Sequence, residues 1–190
     1  MGLWVDLWTD TMNELKQNPG LVIVMGVSGS GKTVLAKKIA KICSCDFIEA
    51  DNFHSEEAKA HMASGKPLTD AMREPWIQRL LAELSAKHAA NKKVVLAYSG
   101  LKREHRERFR QLPYGKNVMF LVLEGPRALI KSRMRKRKNH FMPESLLDSQ
   151  FDAMEDPRGE PGVVILDTRC SRSELNLKAK TVVEEFFTPI

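Results

Sequence analysis

A short apolar run, Leu21 to Met25, leads directly into Gly26-Val27-Ser28-Gly29-Ser30-Gly31-Lys32-Thr33. Apolar residues at helical spacing, Val34, Leu35, Ile39 and Ile42, follow it. The octapeptide satisfies G-x-x-x-x-G-K-[ST] at every fixed position, and few patterns constrain a backbone so tightly. Its glycines let main-chain N–H groups turn inward on a phosphate, and the helix behind presents the positive end of its dipole. Lys32 can bridge β- and γ-phosphates, and the Thr33 hydroxyl can ligate Mg²⁺. A glycine-rich turn without a ligand would not need a strand before it and a helix after it. Nucleotide binding, with Gly26 to Thr33 as the cradle, is the first inference.

Four further β-rich runs recur along the chain: Asp46 to Ala50, Lys93 to Tyr98, Asn117 to Leu123 and Val163 to Asp167. Helical patterns separate them, and strands alternating with helices predict an α/β fold with a parallel sheet covered on both faces. Predicted helices span about Lys32 to Ile42, Glu74 to His88 with Pro75 in its first turn, Lys102 to Arg110, Arg127 to Arg137 and Ser173 to Phe187. Residues 1–20 read as an amphipathic extension, with Leu3, Trp4, Leu7, Trp8, Met12 and Leu15 on one helical face. Such a stripe could serve dimerisation or membrane-surface contact, but packing on the same chain is the preferred reading. Residues 21–190 read as one kinase-sized domain.

Composition narrows the class. Hydrophobic residues at 43% and charged residues at 28% fit a soluble globular chain, and no apolar stretch approaches the roughly 20 residues of a membrane span. Asp6 and Asp10 break any secretory-signal pattern, and Cys43, Cys45 and Cys170 match neither a disulfide framework nor a zinc site. A cytoplasmic protein with free thiols is expected. The net charge of +6 concentrates at Lys102–Arg110 and Arg127–Lys138. Such runs suit either a polyanion or an enzyme handling phosphate and an acidic substrate.

What the nucleotide is used for depends on the remaining residues. The guanine-reading Asn-Lys-x-Asp of switch GTPases is absent, and 190 residues leave no room for an oligomeric motor. Phe47-Ile48-Glu49-Ala50-Asp51 ends the second strand with two carboxylates that a strand would place on one face. Asp51, nearest the strand end, can organise Mg²⁺ or orient an acceptor hydroxyl, while a helix-capping or salt-bridging aspartate is the structural alternative. Arg133 and Arg137, one helical turn apart, can face the negative charge that phosphoryl transfer spreads over equatorial oxygens. Arg135 and Lys136 read as solvated cations.

Several stretches together resemble the small P-loop gluconate kinases, the thermoresistant gluconokinases of the shikimate and adenylate kinase-like group. They are MGVSGSGKT at Met25–Thr33, ADNFH at Ala50–His54 and MASGKPLTDAMREPW at Met62–Trp76, then SGLKREHR at Ser99–Arg106 and HFMPESLLDSQFDAMEDP at His140–Pro157. The resemblance implies a P-loop NTPase fold with a five-stranded parallel sheet ordered 2-3-1-4-5, a mobile lid at about 136–150 and a homodimer. It implies ATP and Mg²⁺ as cofactors, D-gluconate as the small anionic substrate and 6-phosphogluconate as product. By resemblance, Asp51, His54, Lys66, Arg73, Ser99, Lys102 and Arg106 are candidates to line the sugar-acid pocket, and Lys102 and Arg106, four apart on one predicted helix face, suit a shared carboxylate. Lys32, Asp51 and Arg137 are expected to carry the transfer, Arg133 and Arg137 to reach ATP, and Thr33 and Asp51 to hold the metal.

Two positions depart from the family pattern. Tyr98-Ser99-Gly100-Leu101-Lys102 stands where Cys-Ser-Ala-Leu-Lys is usual, and Asn139 stands where a glycine usually precedes the lid histidine. A kinase of shikimate or nucleoside monophosphates would use the same loop without the Asp51–His54 and Asp70–Trp76 blocks. A nucleic-acid-binding regulator would use the basic runs, but no aromatic-studded sheet or recognition-helix pattern accompanies them.

Overall fold

The computed structural model describes residues 19–136 and 145–188. Five parallel strands run in the order β2-β3-β1-β4-β5: β1 Leu21–Met25, β2 Asp46–Glu49, β3 Val94–Ala97, β4 Val118–Glu124 and β5 Val163–Asp167. β1 sits in the centre, with Ile23 in register with Leu96 on one side and Phe120 on the other. The order expected from the resemblance is the order observed.

Alternation along β1 divides the core. Leu21, Ile23 and Met25 face one side with Leu96, Phe120 and the helix residues Trp76, Ile77, Leu80 and Leu84. Val22 and Val24 face the other with Leu35, Ile39, Ala179 and Val183. Both faces are dry, which is why β1 reads as an unbroken apolar run rather than an alternating one. The helices that cover them are α1 Lys32–Ile42, α2 Glu56–Ala63, α3 Asp70–Ala89, α4 Arg103–Arg110, α5 Arg127–Arg135, α6 Ser145–Asp152 and α7 Arg172–Phe187. Each fully buried leucine of α3 stabilises the fold by about 1.5–3 kcal/mol, and Leu80→Ala would cost about 2–5 kcal/mol with its cavity.

Several boundaries differ from the sequence expectation. α3 starts at Asp70, not Glu74, because the Thr69 hydroxyl caps it by accepting the Met72 N–H at 3.3 Å. Pro75 therefore lies one turn inside the helix, on its exposed side, where its missing N–H leaves no i+4 donor for the Ala71 carbonyl. β2 ends at Glu49, and Ala50–Phe53 forms a 3₁₀ turn rather than the last residues of a strand. α2, absent from the sequence reading, is a short helix with little amphipathic signal, capped by the Ser55 hydroxyl. α6 occupies the second half of the expected lid, and α5 ends at Arg135. Lid residues 137–144, Arg137 included, and residues 1–18 of the N-terminal extension lie outside the described residues.

Tyr98, the departure after β3, is fully buried. Its ring stacks on Trp76 and meets Phe109 edge-on, with centroids 5.2 and 4.9 Å apart. Its hydroxyl lies 3.2 Å from His105 Nδ1, so the residue fills core volume under the site.

Candidate active site

The phosphate loop rises from the C-terminal end of β1. Gly26 N–H donates to the Ser99 carbonyl at 3.1 Å, which ties the loop to the end of β3. Gly29 has φ +79°, and a Cβ there would fall 2.6 Å from Met134 Cγ, so both the turn and the packing against α5 demand glycine. The Lys32 ammonium donates across the loop to the Val27 carbonyl at 3.0 Å. Ser28 N–H donates to Gln150 Oε1 of α6 at 2.7 Å.

Beside the loop, Glu49 closes β2. Burial raises its pKa, and a hydrogen bond from the Thr33 hydroxyl opposes that rise; the Asp51 charge raises it further, while Lys32 and the Asp51 N–H lower it. The two carboxylates are thus neighbours, although the 3₁₀ turn rather than a shared strand face brings Asp51 there. With Thr33 they give three hard oxygen donors next to the phosphate cradle, the donor type that Mg²⁺ prefers when phosphates complete its shell. Among the described residues no group of three or more His, Cys, Asp or Glu side chains converges as a metal site. A cation here would depend on nucleotide oxygens.

His54 follows the 3₁₀ turn as its C-terminal cap. His54 is buried and stacked on Trp76 with centroids 4.1 Å apart, and Trp76 Nε1 donates to the Ala50 carbonyl at 2.7 Å. Burial is the main cause of a pKa lowered to about 4, with Lys59, Arg79 and Arg73 adding to it against Asp51. The imidazole is neutral at pH 7, and its buried Nδ1 has no hydrogen-bond partner among the described residues.

Asp70 joins the cations. Its carboxylate accepts both Lys102 Nζ contacts at 2.7 Å and Arg73 Nη1 at 2.8 Å. Hydrogen bonds from Lys102, then Arg73, lower its pKa. Lys102 and Arg73 come from different elements, so the aspartate clips the start of α3 to the β3–α4 loop. The sequence reading quoted Asp70 only as part of a motif. Its three-residue spacing to Arg73 was the available signal. Lys66 is exposed beside Gly65, and Ser99 is half-buried at the end of β3.

Arg106 does not join that cluster, contrary to the expectation that it shares a carboxylate with Lys102. Its side chain is fully buried, and its guanidinium donates to both Glu160 carboxylate oxygens and to the carbonyls of Gly100, Leu101 and Glu155. All of its donor directions are spent inside the protein. Spacing of four on a helix gave Lys102 and Arg106 one face, but Lys102 is the N-cap and points elsewhere. Glu160, which the sequence reading did not single out, also binds Arg110.

The rest of this basic run is similarly paired, with Arg108 on Glu74 and Arg110 on Glu107. It offers little free charge to a polyanion. Arg133 donates to the Thr168 carbonyl at 2.8 Å and so stands at the end of β5. A cavity of about 280 Å³ lies behind the loop, between Val27, Glu124, Ile130 and Phe151, and none of the sugar-acid residues lines it.

A family model described as an AAA domain matches residues 21–161. The thermosensitive gluconokinase of Escherichia coli is 39% identical over 146 residues, which cover 76% of this chain and 77% of that one. The chain belongs to the gluconokinase family. Among solved structures, a gluconokinase from Sinorhizobium meliloti aligns with TM-score 0.78 at 37% identity, covering 89% of this chain and 94% of its own. An unliganded sugar kinase from Janibacter aligns with TM-score 0.81 at 42% identity, covering 87% and 95%. The phosphate loop of this chain, Gly26–Thr33, is complete.

Proposed function

We propose that this chain transfers the γ-phosphoryl group of ATP to D-gluconate, giving 6-phosphogluconate. The observation that carries the reading is the complete phosphate loop with the Glu49 and Asp51 carboxylates beside it. The Asp70–Arg73–Lys102 cluster and the unpaired Nδ1 of buried His54 supply groups suited to a sugar acid.

In this reading Lys32 leaves the Val27 carbonyl to follow the β- and γ-phosphates. Magnesium, held by Thr33 with Glu49 and Asp51 nearby, would neutralise the phosphate charge when bound. Asp51 orients the acceptor hydroxyl and takes its hydrogen bond. His54, being neutral, exchanges hydrogen bonds with sugar hydroxyls rather than attracting the carboxylate. Arg73, Lys102 and Asp70 carry a net charge of about +1 by formal count, which one carboxylate neutralises. Ser99 and Lys66 complete the polar wall. Arg133, anchored at Thr168, and Arg137, from the lid, supply cationic donors on the nucleotide side. The same reading includes a cytoplasmic homodimer, which light scattering on the purified protein tests for its oligomeric state.

The deciding experiment follows ADP release, in a coupled assay with MgATP, over a panel of gluconate, other sugar acids, glucose, shikimate and nucleoside monophosphates. Gluconate should give the highest kcat/KM. Glucose turned over as well as gluconate would defeat carboxylate recognition, and shikimate preferred over gluconate would defeat the substrate assignment.

A further inference from the structure

The contact between Ser28 and Gln150 spans 122 residues and joins the phosphate loop to a helix that no role in substrate binding or transfer explains. Ser28 is buried, so its main-chain N–H has little access to water and needs a protein acceptor. The Gln150 carboxamide supplies that acceptor at 2.7 Å. The Ser28 N–H thereby points to α6.

α6 is well placed to hold the loop. Leu147 and Phe151 pack with Val27 of the loop and with Ile130 and Met134 of α5. Leu146 packs with Ala58, Met62 and Leu68 from the α2 side. The helix is therefore fixed from two directions, and the carboxamide it projects is the polar point of an otherwise apolar contact with the loop. An uncharged acceptor suits this position. A carboxylate would accept the same N–H but would add a negative charge at a loop that is to hold a triphosphate, and like charges repel.

We propose that Gln150 is a positioning residue that sets the shape of the first turn of the phosphate loop through Ser28, and thereby the affinity for nucleotide. This rests on the nucleotide-binding reading of Gly26–Thr33. Gln150→Met keeps the length of the side chain and removes the acceptor. Gln150→Glu keeps the acceptor and adds charge.

The test is calorimetric titration of wild type and both variants with ATP and with ADP, alongside melting of the nucleotide-free proteins. Gln150→Met should bind both nucleotides about tenfold more weakly, the equivalent of one net hydrogen bond. It should leave KM for gluconate within about twofold at saturating ATP, a split that general loosening of the fold would not give. Gln150→Glu should melt like wild type without nucleotide and yet bind ATP at least tenfold more weakly. Wild-type ATP affinity in Gln150→Met overturns the assignment, and if that variant does not fold, Gln150→Ser, too short to reach the Ser28 N–H, decides by the same titration. A wild-type protein that binds no ATP overturns the nucleotide reading itself, an outcome distinct from variants that match a binding-competent wild type.

Discussion

Replacing Arg106 by lysine separates a structural cation from a substrate-binding one. Lysine keeps the charge, but its three donors cannot serve both Glu160 oxygens and the carbonyls of Gly100, Leu101 and Glu155 that the guanidinium now reaches. At least two of these acceptors lose their partner, at about 1–3 kcal/mol each when buried. Glu160, only 4% exposed, retains Arg110, which moderates the loss. A destabilisation of about 3–5 kcal/mol results, within the range for breaking a buried ion pair. For a chain of this size that lowers Tm by roughly 6–20 °C. Thermal melting by circular dichroism, with KM for gluconate measured on the folded enzyme well below the new Tm, provides the assay. KM should stay within about twofold of wild type. A Tm within about 2 °C of wild type combined with a tenfold rise in KM would refute the structural role.

Lys102→Met should have the opposite signature: Tm nearly unchanged, since the lysine is 31% exposed and its pair with Asp70 is screened, and KM for gluconate raised about five- to thirtyfold in steady-state assays. A rise in KM for ATP alone would contradict it. Glu49→Gln keeps a hydrogen-bond partner for Thr33 but removes a charge from the proposed cation site. It should lower kcat tenfold or more and raise the Mg²⁺ concentration needed for half-maximal rate, and an unchanged Mg²⁺ titration would exclude Glu49 from that site. For His54, the folded pKa of about 4 lies below the ordinary 6.5, so the unfolded chain binds the extra proton. Its contribution is complete above pH 6.5 and fades as pH falls towards 4, by up to about 3 kcal/mol. Urea unfolding of His54→Phe should therefore show a flatter stability profile between pH 6.5 and 4 than wild type, and parallel profiles would place the imidazole in solvent.

Reading along the chain identified what local chemistry governs. The strand–loop–helix at Leu21–Ile42 needs only its own residues: apolar side chains for a doubly buried strand, glycines for the left-handed turns, and a lysine and threonine at the helix start. The five strands were legible for the same reason, since each apolar run is short, β-rich and bounded by turns. Short elements were less so. Ser55 and Thr69 cap their helices through single hydrogen bonds that weak amphipathic patterns do not announce, and Pro75 drew the predicted start of α3 four residues too late.

The partners of the charged residues were decided by the tertiary structure. Arg106 looks like a surface cation on a basic helix until the chain folds Glu155 and Glu160 beneath it, and Glu160 is 54 positions away in sequence. Asp70 meets Lys102 across 32 positions, and Gln150 meets Ser28 across 122. Helical spacing states which side chains share a face, but which of them meets substrate and which is buried in an ion pair depends on what packs opposite. A charge takes its role from desolvation and neighbours, and both are properties of the assembled fold.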